Sequence, residues 1–318
     1  MTNKNKKRPS GYREPRPPST DVAAQAPRRR GLFDSILAPR VPGSTPMPSI
    51  LSSLGRGFVT VASSIPLVLT SILLLLAMWL VLVALGYEGP FALLVNVLGV
   101  PPVGTFNDLN LSISVFGVTT GFLALLAFIG LRAIVQAVMT VMVVDVLQTG
   151  SATRWSVVRS LRIVPVTLAV NVACLGLLMA SSFIGPLLGQ GFGLLILLAS
   201  LVVGVYLLGF APAIAATERR GLADTLGRSV RAGRLPGAGN LMFAAIYVVT
   251  FVAVLAIPGK PGALVGVNPS IAAWVVGIVV GLAHVAVLAA LVFRYLSIAD
   301  VVPEAAPRRQ PAARGRRR

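Results

Sequence analysis

Residues 271–294 read IAAWVVGIVVGLAHVAVLAALVFR, twenty-three residues without a charge, closed by an arginine. As a helix this run is about 35 Å long, enough to cross a hydrocarbon core of ~30 Å. Five further apolar runs have similar length, at roughly 66–86, 113–131, 163–184, 192–213 and 240–257. The pattern predicts an all-α fold, a polytopic membrane bundle of six transmembrane helices. The charges that frame the runs then set its orientation. Eleven Lys and Arg residues precede the first run, four separate the second from the third, five separate the fourth from the fifth, and seven follow the start of Arg294. Only Lys260 lies on the other side. Basic loops stay cytoplasmic, so both termini are expected inside, in a bacterial cytoplasmic membrane.

Composition supports that class. Of 318 residues 55% are hydrophobic and 12% are charged, against about 25% charged in soluble domains. The net charge of +18 sits in tails and short loops beside the spans. Anionic headgroups are therefore the expected partner, and nucleic acid is not. Arginines outnumber lysines 24 to 4, a bias typical of high-GC bacterial genomes. The single cysteine, Cys174, falls within the third span and has no disulfide partner in the chain. The first apolar run begins about sixty residues in, so it is expected to serve as its own insertion signal rather than a cleaved leader.

The chain divides into three regions. Residues 1–48 are basic and Pro-rich, predicted disordered, with a short interfacial helix at 31–37. Residues 49–298 carry the membrane domain. Residues 299–318 form a second basic tail. Within the domain, Ser49 is placed to cap a helix whose apolar stripe is Ile50, Leu54, Phe58, Val61 and Ile65. We read it as lying on the cytoplasmic membrane surface and leading to Pro66, at the first turn of the first span. Between the first two spans, Phe91–Val100 is too short to cross and is expected at the outer interface.

The second run is too long for one span. Apolar character continues from Ile113 to Leu147, broken by Arg132, Gln136 and Asp145. One register, 113–131, leaves Arg132 at the inner surface with a helical extension beyond it. The other, 122–144, places Arg132 mid-membrane at a cost of about 3 kcal/mol or more. The first is preferred, and its apolar extension must then pack against something. The two inner loops also resemble each other, with Gly, Ala and Pro positions coinciding at an offset of 71 residues around Gly150 and Gly221. That pattern fits a parallel internal repeat of helix pairs, but so few matches in a biased composition do not decide it.

Little in the sequence can carry chemistry. There is no His-Glu-x-x-His and no phosphate-binding Gly-x-x-x-x-Gly-Lys-Ser/Thr loop. Neither metal, cofactor nor catalytic residue is expected, and the chain is read as no enzyme. His284 shares one face of the sixth span with Ala273, Gly277 and Gly281, small residues that let helices approach closely. It is either a hydrogen-bonded packing group or a ligand-contacting one. Asn171, near the middle of the third span, continues a weakly polar stripe of Thr167, Cys174 and Ser181. Matching depth predicts that Asn171 and His284 meet near the midplane. In the loops, Trp155 suits the interface. Asp224 and Arg228 are spaced to pair on one helix face, leaving Arg220, Arg231 and Arg234 for headgroups.

Residues 212–229, PAIAATERRGLADTLGRS, resemble the inner-loop signature of a bacterial membrane-domain family. That family is the six-helix region attached to some glycerophosphoryl diester phosphodiesterases, with related stand-alone membrane proteins. Pro212, Glu218, Gly221, Asp224, Leu226, Arg228 and Ser229 match; Thr225 stands where that family has Ala. The catalytic domain of those enzymes has no counterpart here, so the resemblance implies a membrane module. It also implies Glu218 near a helix start, where the helix dipole favours an acid. It implies Gly221 at a tight turn or close approach, and Arg228 facing phosphates or acids of the loop. The expected function is a membrane scaffold or accessory subunit that docks lipids, a membrane-protein partner or a second copy. A permease for a small or lipid-like solute, using Asn171 and His284, is the alternative.

Overall fold

A computed structural model describes residues 47–84, 95–101, 103, 117–187, 189–235, 238–256 and 271–304. Every regular element among them is helical: α1 (Ile50–Ser63), α2 (Ile65–Ala84), α3 (Gly117–Thr149), α4 (Arg154–Ser160), α5 (Val164–Leu187), α6 (Gln190–Leu208), α7 (Ala211–Thr217), α8 (Leu222–Gly233), α9 (Gly239–Ala256) and α10 (Ile271–Leu296). Short 3₁₀ turns cover Val95–Leu98 and Ala299–Val301. The expected helix at 31–37 and the tail beyond 304 lie outside the described residues.

Among the described residues, four stretches are long and apolar enough to cross a membrane: Phe128–Thr149, Val164–Gly185, Phe192–Thr217 and Gly277–Leu296. A fifth is added if α1 and α2, bent by 85° at their junction, count as one span. Over its described side chains α9 is a shorter apolar helix, Gly239–Phe251.

The centre of the bundle is α3, which continues unbroken from Gly117 to Thr149, so the apolar extension expected beyond Arg132 is helical. Arg132 is fully buried among protein side chains. A helix apolar on all sides belongs in a core, and α3 packs against α4, α5, α7 and α10. Its polar residues are tolerated because neighbouring helices supply partners.

A correction concerns the connection expected at the outer interface. Val97, Leu98, Val100 and Val103 are buried in the core, with the Val95–Leu98 turn against α10 and α3. Non-helical backbone can sit inside a bundle only where side chains satisfy its polar groups. Here Gln136 Nε2 donates to Gly99 O at 2.9 Å, and Val100 N donates to the Tyr247 hydroxyl at 3.2 Å.

Ser49 caps α1 as expected, accepting from Ser52 N at 3.1 Å. The helix runs alongside α10 in the opposite direction, while Leu51, Phe58 and Val59 stay exposed. Arg294 of α10 donates to Pro48 O at 2.8 Å and to Ser53 Oγ at 3.1 Å, and one turn further on Gly57 meets Ala286 and Ala290. Arg294 also holds Asn240 Oδ1 of α9 at 3.0 Å, so one guanidinium joins three elements. The face that meets protein is the one with Ser53, Gly57, Thr60 and Val61, whereas Phe58 and Ile65 of the apolar stripe remain exposed.

The α1–α10 contact has no room for a side chain. A Cβ at Gly57 would lie 2.1 Å from Ala286 O and 2.9 Å from Ala290 N, both backbone atoms. Gly57→Ala is expected to push α1 off α10 and destabilise the protein by about 3 kcal/mol. The check is thermal unfolding in nanodiscs beside Gly55→Ala, since a Cβ at Gly55 meets nothing within 4 Å.

Candidate functional site

Two polar constellations stand out, one at the loop end of the bundle and one inside it. The first grows from the break between α7 and α8. Pro212 lies in the first turn of α7, whose Ala211–Ala215 face is buried. Glu218 ends that helix in an extended conformation, and Gly221 precedes α8. Buried Ser229 donates to Leu207 O at 2.8 Å, fixing α8 beneath α6.

That seating turns Arg228 inward. Its Nε donates to Glu218 Oε1 at 2.9 Å, its Nη1 to Val302 O at 3.2 Å and Glu304 Oε1 at 3.1 Å, and its Nη2 to Ala299 O at 2.8 Å. Tyr295 of α10 donates its hydroxyl to Glu218 and lies 3.2 Å from Arg228 Nε. Arg220 pairs with Glu218 and grips Glu304 with two bonds, of 3.0 and 2.7 Å. Arg231 donates to Pro303 O at 2.8 Å. Residues 299–304 are therefore strapped across α8 and the end of α10. A polar hollow of about 610 Å³ opens beside the strap, between Gln148, Arg219, Arg220 and Asp300.

Arg228 is buried and faces Glu218 of the loop and Glu304, so of the two settings the resemblance implies it takes the acidic one. Other expectations change. Asp224 stays exposed in the first turn of α8, where the helix dipole favours it. Among the described residues Asp224 forms no ion pair with Arg228, because Glu218 and Glu304 take that side chain. Glu218 sits at the end of α7 and not at a helix start. Gly221 has φ −68° and open space where a Cβ would be, so neither a tight turn nor a close approach requires glycine there. Of the headgroup candidates, Arg234 is exposed, whereas Arg220 and Arg231 are engaged by the strap.

Burial works to raise the Glu218 pKa, but hydrogen bonds from Tyr295, Arg220 and Arg228 outweigh it and hold the carboxyl below its usual value of 4.5. Hydrogen bonding to Arg220 does the same for exposed Glu304. A depressed folded pKa stabilises the strap fully above the unfolded value, and the contribution fades as pH falls through the folded one. Strap release, followed by hydrogen exchange at 297–304, is expected only below pH 4.5 and not between pH 5 and 8.

The other loop is built similarly. Asp145, at the end of α3, accepts from Ser156 Oγ at 2.6 Å and pairs with Arg159. Ser156 also accepts from Thr153 N at 3.1 Å, capping α4. The short helix is held so that Trp155 (62% exposed), Val158 and Leu161 (64%) face outward. Arg154 lies 5.8 Å over the Trp155 ring.

Inside the bundle, Arg132 Nη2 donates to Asn171 Oδ1 at 3.0 Å, and Asn171 Nδ2 donates to Gln136 Oε1 at 2.8 Å. Gln136 continues the chain to Gly99 O, and the next residue, Val100, leads to Tyr247 and thence to His284 Nδ1 at 3.0 Å. Asn171 and His284 therefore do not meet. The inserted 95–101 segment stands between them and bonds to both sides. His284 packs between the Tyr247 and Phe251 rings. Gly277 and Gly281 are buried on its helix, while the Ala273 side chain lies outside the described residues. Among the described residues no group of His, Cys, Asp and Glu is arranged to hold a metal.

The sequence reading missed Tyr295, Glu304, Tyr247 and Gln136. Only Gln136, a polar break in an apolar run, left a signal there.

Comparison of the chain with protein-family models, curated proteins and solved structures finds no match.

Proposed function

We propose that the chain is a non-enzymatic, six-span scaffold of a bacterial cytoplasmic membrane, with both termini inside. Its loop face docks anionic headgroups and a membrane-protein partner. The carrying observation is how the loop end uses its charges. Arg228 and Arg220 are spent on internal acids, which makes α8 and the strap one rigid unit. Arg219, Arg234 and the Trp155–Leu161 face are left exposed on it. An exposed Trp and Leu beside arginines is the chemistry of a membrane surface contact. The resemblance of residues 212–229 to phosphodiesterase-linked membrane domains is in keeping with a module of this kind.

A permease is the second reading, and the Arg132–His284 chain would be its pathway. Those side chains are packed at 0–8% exposure against one another, which favours the scaffold. The test is lipid and protein recovery after extraction into nanodiscs, comparing wild type with Arg219→Gln/Arg234→Gln. Loss of a co-purifying partner, or of anionic lipid enrichment, supports docking. Unchanged recovery of both overturns it. Arg228 is unsuitable for this test, because its loss dismantles the platform itself.

A further inference from the structure

A second site lies apart from the proposed docking face. Between α1, α9 and α10 lies an apolar cavity of about 260 Å³. Its walls are Ile50, Leu54 and Phe58 of α1, Phe243 and Phe251 of α9, and Val287 of α10. The Tyr247–His284 pair lies along its floor.

Shape comes first. Ile50 to Phe58 and Phe243 to Phe251 are each eight helical steps apart, so the cavity is a slot roughly 12 Å long, parallel to the helices. The crossing-length stretch of α10 makes its floor. On this reading the slot runs in the direction of bilayer acyl chains.

The surroundings come second. Phe58 and Ile246 are partly exposed at the slot, and Val249 and Val279 are exposed on the outer faces of α9 and α10. What meets the opening is therefore hydrocarbon.

Charge comes third. Arg294 sits at the Ile50 end, 5.2 Å over the Phe243 ring that lines the slot. Its described partners are Asn240, Pro48, Ser53 and Met47, all neutral. Arg294 is fully buried, and no acid among the described residues balances it, so its field favours an anion at that end of the slot.

We propose that the slot binds one acyl chain of an anionic phospholipid, its phosphate at the Arg294 end. The proposal rests on the membrane reading above but not on the docking face. Bound there, the lipid fills the gap between α1 and α9 and completes the packing of α1.

The experiment uses wild-type protein in nanodiscs containing phosphatidylglycerol with a photoreactive acyl chain, and the same with phosphatidylcholine. Crosslinks are mapped by mass spectrometry. Labelling is expected to concentrate on Leu54, Phe58 and Phe251 above outward-facing Val249 and Val279. The anionic lipid should be preferred about fivefold, the ratio one arginine gives for an anionic head. Ala283→Phe, which fills the slot, should abolish the excess.

Equal labelling of slot and outward residues overturns the proposal while leaving the membrane reading intact, as does an excess that survives Ala283→Phe. Equal labelling by both lipids overturns the anionic assignment. Absence of labelling anywhere, from protein that does not stay in the nanodisc, sinks the membrane reading instead. The wild-type label pattern decides the matter even if the variant fails to fold.

Discussion

Arg228→Ala is expected to free residues 299–304 and destabilise the protein by about 3 kcal/mol. The side chain donates to Glu218, Glu304 and the carbonyls of Ala299 and Val302. Its removal leaves Glu218, a half-buried carboxylate, with Arg220 and Tyr295 alone. Breaking one member of a buried pair costs more than the pair is worth, because the remaining charge stays desolvated. Arg228→Lys should recover only part of the loss. An ammonium lacks the planar fork that reaches a carboxylate and two backbone carbonyls at once. Hydrogen exchange should rise at 297–304 and in α8 while α5 is unaffected. Unchanged protection at 297–304 would show that the strap is held by something other than this arginine.

Asn171→Leu is expected to be comparably damaging, by about 3 kcal/mol, although it swaps a polar residue for an apolar one inside an apolar bundle. Asn171 is the described link between Arg132 and Gln136. Without it a fully buried guanidinium loses an acceptor and the Gln136 carbonyl loses a donor. The companion variant separates this cause from simple misfit. Arg132→Met removes the buried charge at similar volume, so adding it to Asn171→Leu should restore part of the lost stability. Thermal unfolding of the two singles and the double in nanodiscs gives the coupling. Strict additivity of the two losses would mean that the arginine is stabilised elsewhere.

These residues also show what was legible before the structure. The apolar runs locate α5, α6 and α10 closely, because a long uncharged run between basic loops has few alternatives. The second run leaves more open. Its own residues do not show that Arg132 is buried in protein, because the acceptor that makes this possible, Asn171, comes from another helix. Position 171 was singled out, but depth alone pairs it with His284. The pairing fails because residues 95–101 enter the bundle between them, and a short apolar piece stopped by Pro101-Pro102 looks the same whether it rests on a bilayer or plugs a core. Glu218 and Arg228 were singled out from the loop resemblance, yet Glu304 and Tyr295 were not. An acid in a basic tail and a tyrosine at a helix end carry no spacing that ties them to residue 228. The contact of Gly57 with Ala286 and Ala290 escaped for a related reason: the small-residue stripe read on α10 was the one around His284, while the closest approach lies further along.

We propose a bundle that crosses the membrane and presents α4, α8 and the strap together on the cytoplasmic side. In a Cys174→Ser background, Trp155→Cys and Asp224→Cys place single thiols at exposed positions of the two loops. A membrane-impermeant maleimide applied to intact cells should label neither, and should label both once the membrane is opened. Labelling of either thiol in intact cells would put that loop outside and contradict the account.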